Sequence, residues 1–169
     1  MLKVGILTIS DKGSRGERQD VSGPAIRESL AGVDASVTRY EIVPDEVPVI
    51  AARLRAWADE DRLDLILTTG GTGLAPRDVT PEATLSVVEK VVPGLAEAMR
   101  AETFRIAPTA ILSRAVAGVR GRSLIVNLPG SPKAVRECLA VILPVLPHAV
   151  AIIQGVVTEH RIPPPAEVG

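Results

Sequence analysis

The feature that most constrains this chain is the short apolar run Leu63 to Thr68, which passes directly into Thr69-Gly70-Gly71-Thr72-Gly73. Six residues are too few for an ordinary helix, and a strand apolar on both faces belongs in the middle of a parallel sheet covered by helices on each side. The remaining apolar runs fit that frame. Val4 to Ile9 reads as a first strand and Ala35 to Val43, alternating and rich in β-branched residues, as a second. Ala110 to Val119 and Ser123 to Leu128, joined by Arg120-Gly121-Arg122, read as a hairpin that adds an antiparallel strand.

The segments between the strands carry helix signals. Ser22-Gly23-Pro24 opens one helix after a polar loop from Ser10 to Val21. Pro44-Asp45-Glu46 opens another, with Ile50, Leu54 and Trp57 at helical spacing on one face. Thr80-Pro81-Glu82 reads as an N-cap followed by a proline at the first helical position. Pro93 to Arg105 is a further helix, and Gly130-Ser131-Pro132 starts the last, through Val135, Cys138, Leu139 and Ile142. The expected architecture is α/β: three layers, α/β/α, around a mostly parallel sheet with one antiparallel strand. We expect one domain over 1–155 and an extended tail over 156–169 that contains Pro163-Pro164-Pro165.

Composition narrows the function classes. A net charge of -1 gives no basic field for nucleic acid. The single cysteine, Cys138, excludes disulfides within the chain and cysteine-rich zinc sites, and reads as a buried thiol. His148 and His160 have no partners at metal-ligand spacing. The apolar stretches are too short to span a bilayer, and the first residues have no signal-peptide pattern. The expected location is therefore the cytoplasm.

In such a sheet, ligands bind outside the carboxyl ends of the strands. Four strand-to-helix turns reach that edge, carrying Ser10-Asp11, Pro44-Asp45, Thr69 to Asp78, and Asn127 to Lys133. Gly70, Gly71 and Gly73 permit positive φ and an anion-binding nest of backbone N–H groups, and the helix at Thr80-Pro81 adds its dipole. The same residues also suit a purely structural turn. No GxxxxGK[ST] or GxGxxG is present, so this is neither a Walker loop nor a dinucleotide fingerprint. Asp78 beside an anion site suits a Mg²⁺ ligand, or a carboxylate favoured by the helix dipole. Asp45 suits either the site or a helix N-cap. Ser131 is a natural N-cap, and Lys133 either meets a phosphate or is a solvated helix residue.

Taken together, Thr8-Ile9-Ser10-Asp11, Asp20-Val21-Ser22-Gly23-Pro24, Pro44-Asp45, Thr68 to Gly73, Arg77 to Ala83, Thr109 to Arg114 and Asn127 to Lys133 resemble the motifs of the MoaB/Mog family, in order and from Lys3 to about Gln154. The resemblance implies a molybdopterin-binding fold, assembled as a trimer or a dimer of trimers. It implies adenylylation of molybdopterin by ATP with Mg²⁺, releasing pyrophosphate and preparing the pterin for the protein that inserts molybdate. By the same resemblance Asp45 and Asp78 are the catalytic aspartates and tentative Mg²⁺ ligands. Ser10, Asp11, Thr69, Gly70, Gly71, Thr72, Gly73, Asn127, Pro129, Gly130, Ser131 and Lys133 are its substrate-binding positions. Three other readings share the fold: a protein that binds molybdopterin or its precursor without catalysis, a different nucleotide-handling enzyme, and a scaffold domain. Retention of Asp45, Asp78 and Lys133 favours the enzyme.

Overall fold

The computed structural model describes residues 1–156. Apart from Val156, the expected tail, with Pro163-Pro164-Pro165 and His160, lies outside them. Strand β1 (Leu2–Ile9) leads through the four-residue helix α1 (Asp11–Ser14) to α2 (Ser22–Ser29), which a 3₁₀ turn (Leu30–Gly32) closes. Next come β2 (Ala35–Val43), α3 (Val47–Asp59), β3 (Leu65–Thr69), α4 (Thr80–Leu85), the two-residue β4 (Lys90–Val91) and α5 (Pro93–Phe104). A second 3₁₀ turn (Pro108–Leu112) precedes β5 (Ala117–Arg120), β6 (Ser123–Leu128), α6 (Pro132–Ile142) and α7 (Leu146–Ile153).

The strands form one sheet in the order β2-β1-β3-β6-β5-β4. The first four are mutually parallel, and β5 runs antiparallel to both β6 and β4. As its composition requires, β3 is central and all five of its residues are buried. Alternation along the strands feeds two cores. Val4, Ile6, Leu65, Leu67, Leu124 and Val126 face α2, α5, α6 and α7. Leu7, Ile66 and Ile125 face the other way, onto Ile50, Leu54 and Trp57 of α3 and Ala83 of α4. Gly5 is glycine because a Cβ there would lie 2.7 Å from the Trp57 ring, so the bare backbone makes room for that indole. The result is the expected α/β/α sandwich.

Three expectations need correction. The strand expected over Ala110 to Val119 begins only at Ala117, because Pro108 starts a 3₁₀ turn and leaves Ile111 and Leu112 exposed. The hairpin itself is present: Arg120 pairs with Ser123 across Gly121, whose φ of 52° suits glycine. The polar loop after β1 contains α1, capped by Ser10, whose Oγ accepts from the Gly13 amide at 3.0 Å. The helix expected through Ile142 is present as α6 but is not the last: α7 follows it, beyond Pro144.

From β1 the chain moves outward to β2 and then crosses back to β3 on the other side of β1. That reversal opens a crevice beyond the carboxyl ends of β1 and β3, where the four turns converge.

Candidate functional site

The glycine turn after β3 is held by its carbonyl oxygens. Gly70 O accepts from Thr80 Oγ1 at 2.9 Å, and Gly71 O accepts from the Thr80 amide at 3.1 Å. Thr72 O accepts from the Arg114 amide at 2.8 Å, and Gly73 O accepts from Arg114 Nε at 2.8 Å. Four consecutive carbonyls are thus tied back into the protein. Gly70 and Gly71 make this possible with φ of 95° and 67°. Gly70 N donates to Leu128 O at 3.2 Å, whereas the amides of Gly71, Thr72 and Gly73 have no protein acceptor among the described residues. Those three N–H groups are left for a ligand to engage, in peptide planes restrained by the bonded carbonyls.

Two contributors differ from expectation. Thr80 is the first residue of α4 rather than its N-cap, and its N–H and hydroxyl are both engaged by the turn. α4 therefore acts on the site by holding the turn, not by offering its own free amides. Arg114 carries no functional signal of its own in the sequence. Besides its bonds to Thr72 and Gly73, it donates through Nη2 to Asp78 O at 2.8 Å and pairs with Glu82. The turn after β6 is stitched to the glycine turn after β3: Thr69 Oγ1 donates to Pro129 O at 2.6 Å.

The carboxylates of Asp45 and Asp78 lie against this same glycine turn, an Asp45 oxygen 3.2 Å from where a Gly71 Cβ would stand. Asp45 Oδ2 accepts from the Asp11 amide at 2.9 Å, and Asp11 Oδ1 accepts from the Asp45 amide at 3.1 Å. This reciprocal clasp joins the turns after β1 and β2. It also removes the N-cap alternative for Asp45, since α3 starts after Glu46 and has no side-chain cap. Arg77 binds both oxygens of Asp11, at 2.8 and 2.9 Å, and holds its carboxyl below the ordinary range. Asp45 has no such cation. Burial pushes its pKa up, and the charges of Asp11 and Asp78 add to the shift. Asp78 Oδ2 accepts from the Ala75 amide at 2.9 Å, over the bare Cα of Gly73, where a Cβ would lie 2.8 Å from that oxygen.

Among the described residues no cluster of three or more His, Cys, Asp or Glu side chains is arranged to hold a metal. Mg²⁺ needs no such cluster when phosphates supply most of its ligands, and one or two carboxylates suffice. Asp45 and Asp78 fit that requirement: both line the same cleft, and a cation would relieve the carboxylate repulsion that adds to the burial-driven rise of the Asp45 pKa.

Two clefts meet at this edge. One, of about 340 Å³, is polar and is lined by Ser10, Thr69, Gly70, Asp45 and the segment Arg18 to Ser22. The other, of about 440 Å³, is mostly apolar and runs along Ala96, Met99, Ala110, Leu112 and Cys138 past Thr72, Gly73 and Pro129. Gly71, Asp78 and Gly130 line both. The Cys138 thiol is buried, which pushes its pKa up to about 11 and leaves it protonated and inert.

Not every expected residue reaches these clefts. Asn127 is fully buried and structural: its Nδ2 donates to the Thr68 and Thr84 hydroxyls at 3.0 and 2.9 Å, and its Oδ1 accepts from the Val116 amide at 3.2 Å. Its polar atoms thus join β3, α4 and β6, so the substrate-contact expectation is corrected. Ser131 caps α6, accepting from the Ala134 amide at 3.2 Å, and lines neither cleft. Lys133 also lies outside both linings, 82% exposed, with Nζ 3.7 Å from Glu137. Asp11 stands behind Asp45 rather than in the cleft.

Motif spacing alone also gives no role to Asp20. Its carboxylate accepts from Thr8 Oγ1 at 2.7 Å, Ser22 N and Oγ at 3.0 Å, Gly23 N at 3.1 Å, and the Tyr40 hydroxyl. Burial works to raise its pKa, but these donors hold it below the ordinary range. Burial, together with Asp20, pushes Tyr40 up to about 12. Asp20 thereby ties the chain from Asp20 to Gly23 to β1 and β2. The Asp-x-Ser-Gly spacing before a helix, an acceptor for two successive amides, is the signal that could have found it.

Fold and site together define a doubly wound α/β domain whose topological switch point carries a glycine turn with three amides unpaired among the described residues and a cleft lined by aspartates. Residues 5–148 match the family model described as "Probable molybdopterin binding domain". The molybdopterin adenylyltransferase of Helicobacter pylori J99 is 47% identical over 156 residues, covering 91% of this chain and 89% of the relative. The crystal structure of the molybdopterin biosynthesis enzyme MoaB of Thermus thermophilus superposes with a TM-score of 0.88 at 63% identity, covering 92% of this chain and 98% of that one. The Mog protein of Mycobacterium ulcerans gives 0.84 at 42% identity, covering 90% and 99%. The chain belongs to this molybdopterin-binding family, as its motifs led us to expect.

Proposed function

We infer that this protein adenylylates molybdopterin at the expense of ATP, in the biosynthesis of the molybdenum cofactor. The observation that carries the reading is the shared wall of the two clefts. The larger, apolar cleft suits a flat pterin, and the polar one suits a polyphosphate. They join over Gly71, Asp78 and Gly130, beside the nest amides. The naming of the Helicobacter pylori relative supports the same reaction.

The chemistry follows from charge. The terminal phosphate oxygen of molybdopterin is already an anion and attacks the α-phosphorus of ATP, so no strong general base is required. Repulsion between the two phosphate chains is the obstacle. The amides of Gly71, Thr72 and Gly73 would receive the phosphate oxygens at the junction, oriented in advance by Thr80 and Arg114. Asp45 and Asp78 would hold Mg²⁺, which when bound supplies charge neutralisation to the triphosphate. Asp11 would keep Asp45 in place through the backbone clasp.

Assembly as a trimer in the cytoplasm belongs to the same proposal. The exposed apolar side chains Phe104, Ile106, Ile111 and Leu112, carried by one short stretch at the end of α5 and the following 3₁₀ turn, support a self-association face. Among the described residues no single helix is long and apolar enough to cross a membrane.

Pyrophosphate release from ATP and Mg²⁺, measured with and without molybdopterin, tests the function. Release that requires molybdopterin is expected. Tight molybdopterin binding with no release would reassign the protein as a carrier.

A further inference from the structure

The polar cleft is electrostatically incomplete for the role just inferred. Its lining includes Asp20, Asp45 and Asp78, and only one cationic side chain, Arg18. The other basic groups nearby are committed or outside the cleft. Arg77 is bidentate on Asp11, Arg114 is engaged with Gly73, Asp78 O and Glu82, and Lys133 lies beyond both linings near Glu137. The neighbour of Arg18, Glu17, is paired bidentately with Arg15 at 3.0 Å. Among the described residues Arg18 has no ion-pair partner.

The position of Arg18 is also supported. Asp20, two residues on, takes donors from Thr8, Ser22, Gly23 and Tyr40, so the segment enters the cleft from a fixed anchor. In-line displacement at phosphorus sets a direction. The entering oxygen comes from the apolar cleft across the junction, so the leaving oxygen must point away from it, along the polar cleft.

Resting on the proposed adenylyl transfer, we propose that Arg18 receives the pyrophosphate leaving group of ATP. In that step the bond between the pterin's phosphate oxygen and the α-phosphorus forms. The bond from the α-phosphorus to the α,β-bridging oxygen breaks, and its electron pair leaves on pyrophosphate. The Arg18 guanidinium meets that developing charge with paired N–H donors, and no proton need move. Arg18 is thus a specificity residue for the triphosphate end of the nucleotide. It discriminates ATP from AMP without touching the pterin.

The test compares wild type, Arg18→Ala and Arg18→Lys. Inorganic pyrophosphate and AMP are titrated calorimetrically as separate probes, and KM for ATP and for molybdopterin are measured. Arg18→Ala should weaken pyrophosphate and raise KM for ATP by about tenfold, the scale of one charge-assisted contact. AMP and molybdopterin should be unaffected, and Arg18→Lys should fall between. Unchanged pyrophosphate affinity would overturn the proposal. So would a loss shared equally by AMP and molybdopterin, which would mark Arg18 as part of the loop's structure. Wild-type protein that binds pyrophosphate but forms no adenylylated product would fault the proposed function instead, because the pyrophosphate titrations do not depend on turnover.

Discussion

Gly71→Ala probes the nest at its most constrained residue. At φ 67° an L-residue costs about 1–2 kcal/mol. The added Cβ would overlap Thr80 Oγ1 and lie 3.2 Å from Asp45 Oδ1. Thr80 is fully buried, so it can only rotate by giving up its bond to Gly70 O, and an unsatisfied buried hydroxyl costs about 1–3 kcal/mol. Alanine restricts the unfolded chain and offsets about 0.4–1 kcal/mol of this. The net loss is about 2–4 kcal/mol, which a domain with about 5–15 kcal/mol of stability survives folded. Urea unfolding followed by fluorescence of Trp57, the only tryptophan and 1% exposed, measures it. The decisive arm is a cycle with Thr80→Ala. Without the hydroxyl, Gly71→Ala should cost only the backbone part less the same unfolded-chain offset, about 0–1.5 kcal/mol. A cost below about 0.5 kcal/mol with Thr80 present, or equal costs in both backgrounds, would refute the geometry assigned to the turn.

Asp45→Asn should stabilise the protein while removing activity. The folded-state pKa of Asp45 is raised, so its stability contribution is complete below the ordinary 3.8 and is lost as pH rises through the folded value. The advantage of the variant in urea should therefore be small at low pH and widen as pH rises through the folded value, and an advantage that shrinks with pH would contradict the charge surplus. Asp78→Asn should leave the melting temperature and pterin affinity close to wild type and cut turnover more than about tenfold, or about 1.4 kcal/mol of barrier. Near-normal turnover would remove Asp78 from the mechanism. Asn127→Ala strands the Val116 amide and the Thr68 and Thr84 hydroxyls, and should cost about 2–4 kcal/mol in stability. Its KM for ATP should be unchanged, and a selective rise in that KM would return Asn127 to the ligand.

What the sequence made legible was periodicity and turn chemistry. β3 announced itself because a run apolar on both faces has one place in a sheet, and Ser131-Pro132 announced α6 because few residues suit those two positions. The strand misplaced over Ala110 to Val119 shows the limit. Ile111 and Leu112 read as sheet residues by composition, but Pro108 and the demands of Arg114 on the glycine turn hold them in a 3₁₀ turn. At the site, motif spacing found Asp45, Asp78 and the glycines. It could not separate ligand-facing residues from those facing inward: Asn127 sits in a site motif, yet all its side-chain bonds join elements of the core. Long-range partners were equally hidden. Nothing local to Arg114 says that it reaches Gly73, 41 positions away in sequence. Nothing local to Arg18 says that the carboxylates near it are all otherwise engaged.

The central claim is that the clefts join a pterin phosphate to the α-phosphorus of ATP. Molybdopterin incubated with the protein, Mg²⁺ and ATP labelled at either the α- or the γ-phosphate tests it directly. The α-label should appear on the pterin and the γ-label in free pyrophosphate. Transfer of the γ-label to the pterin, or α-label that stays in ATP or appears only as free AMP while the pterin is bound, would contradict it.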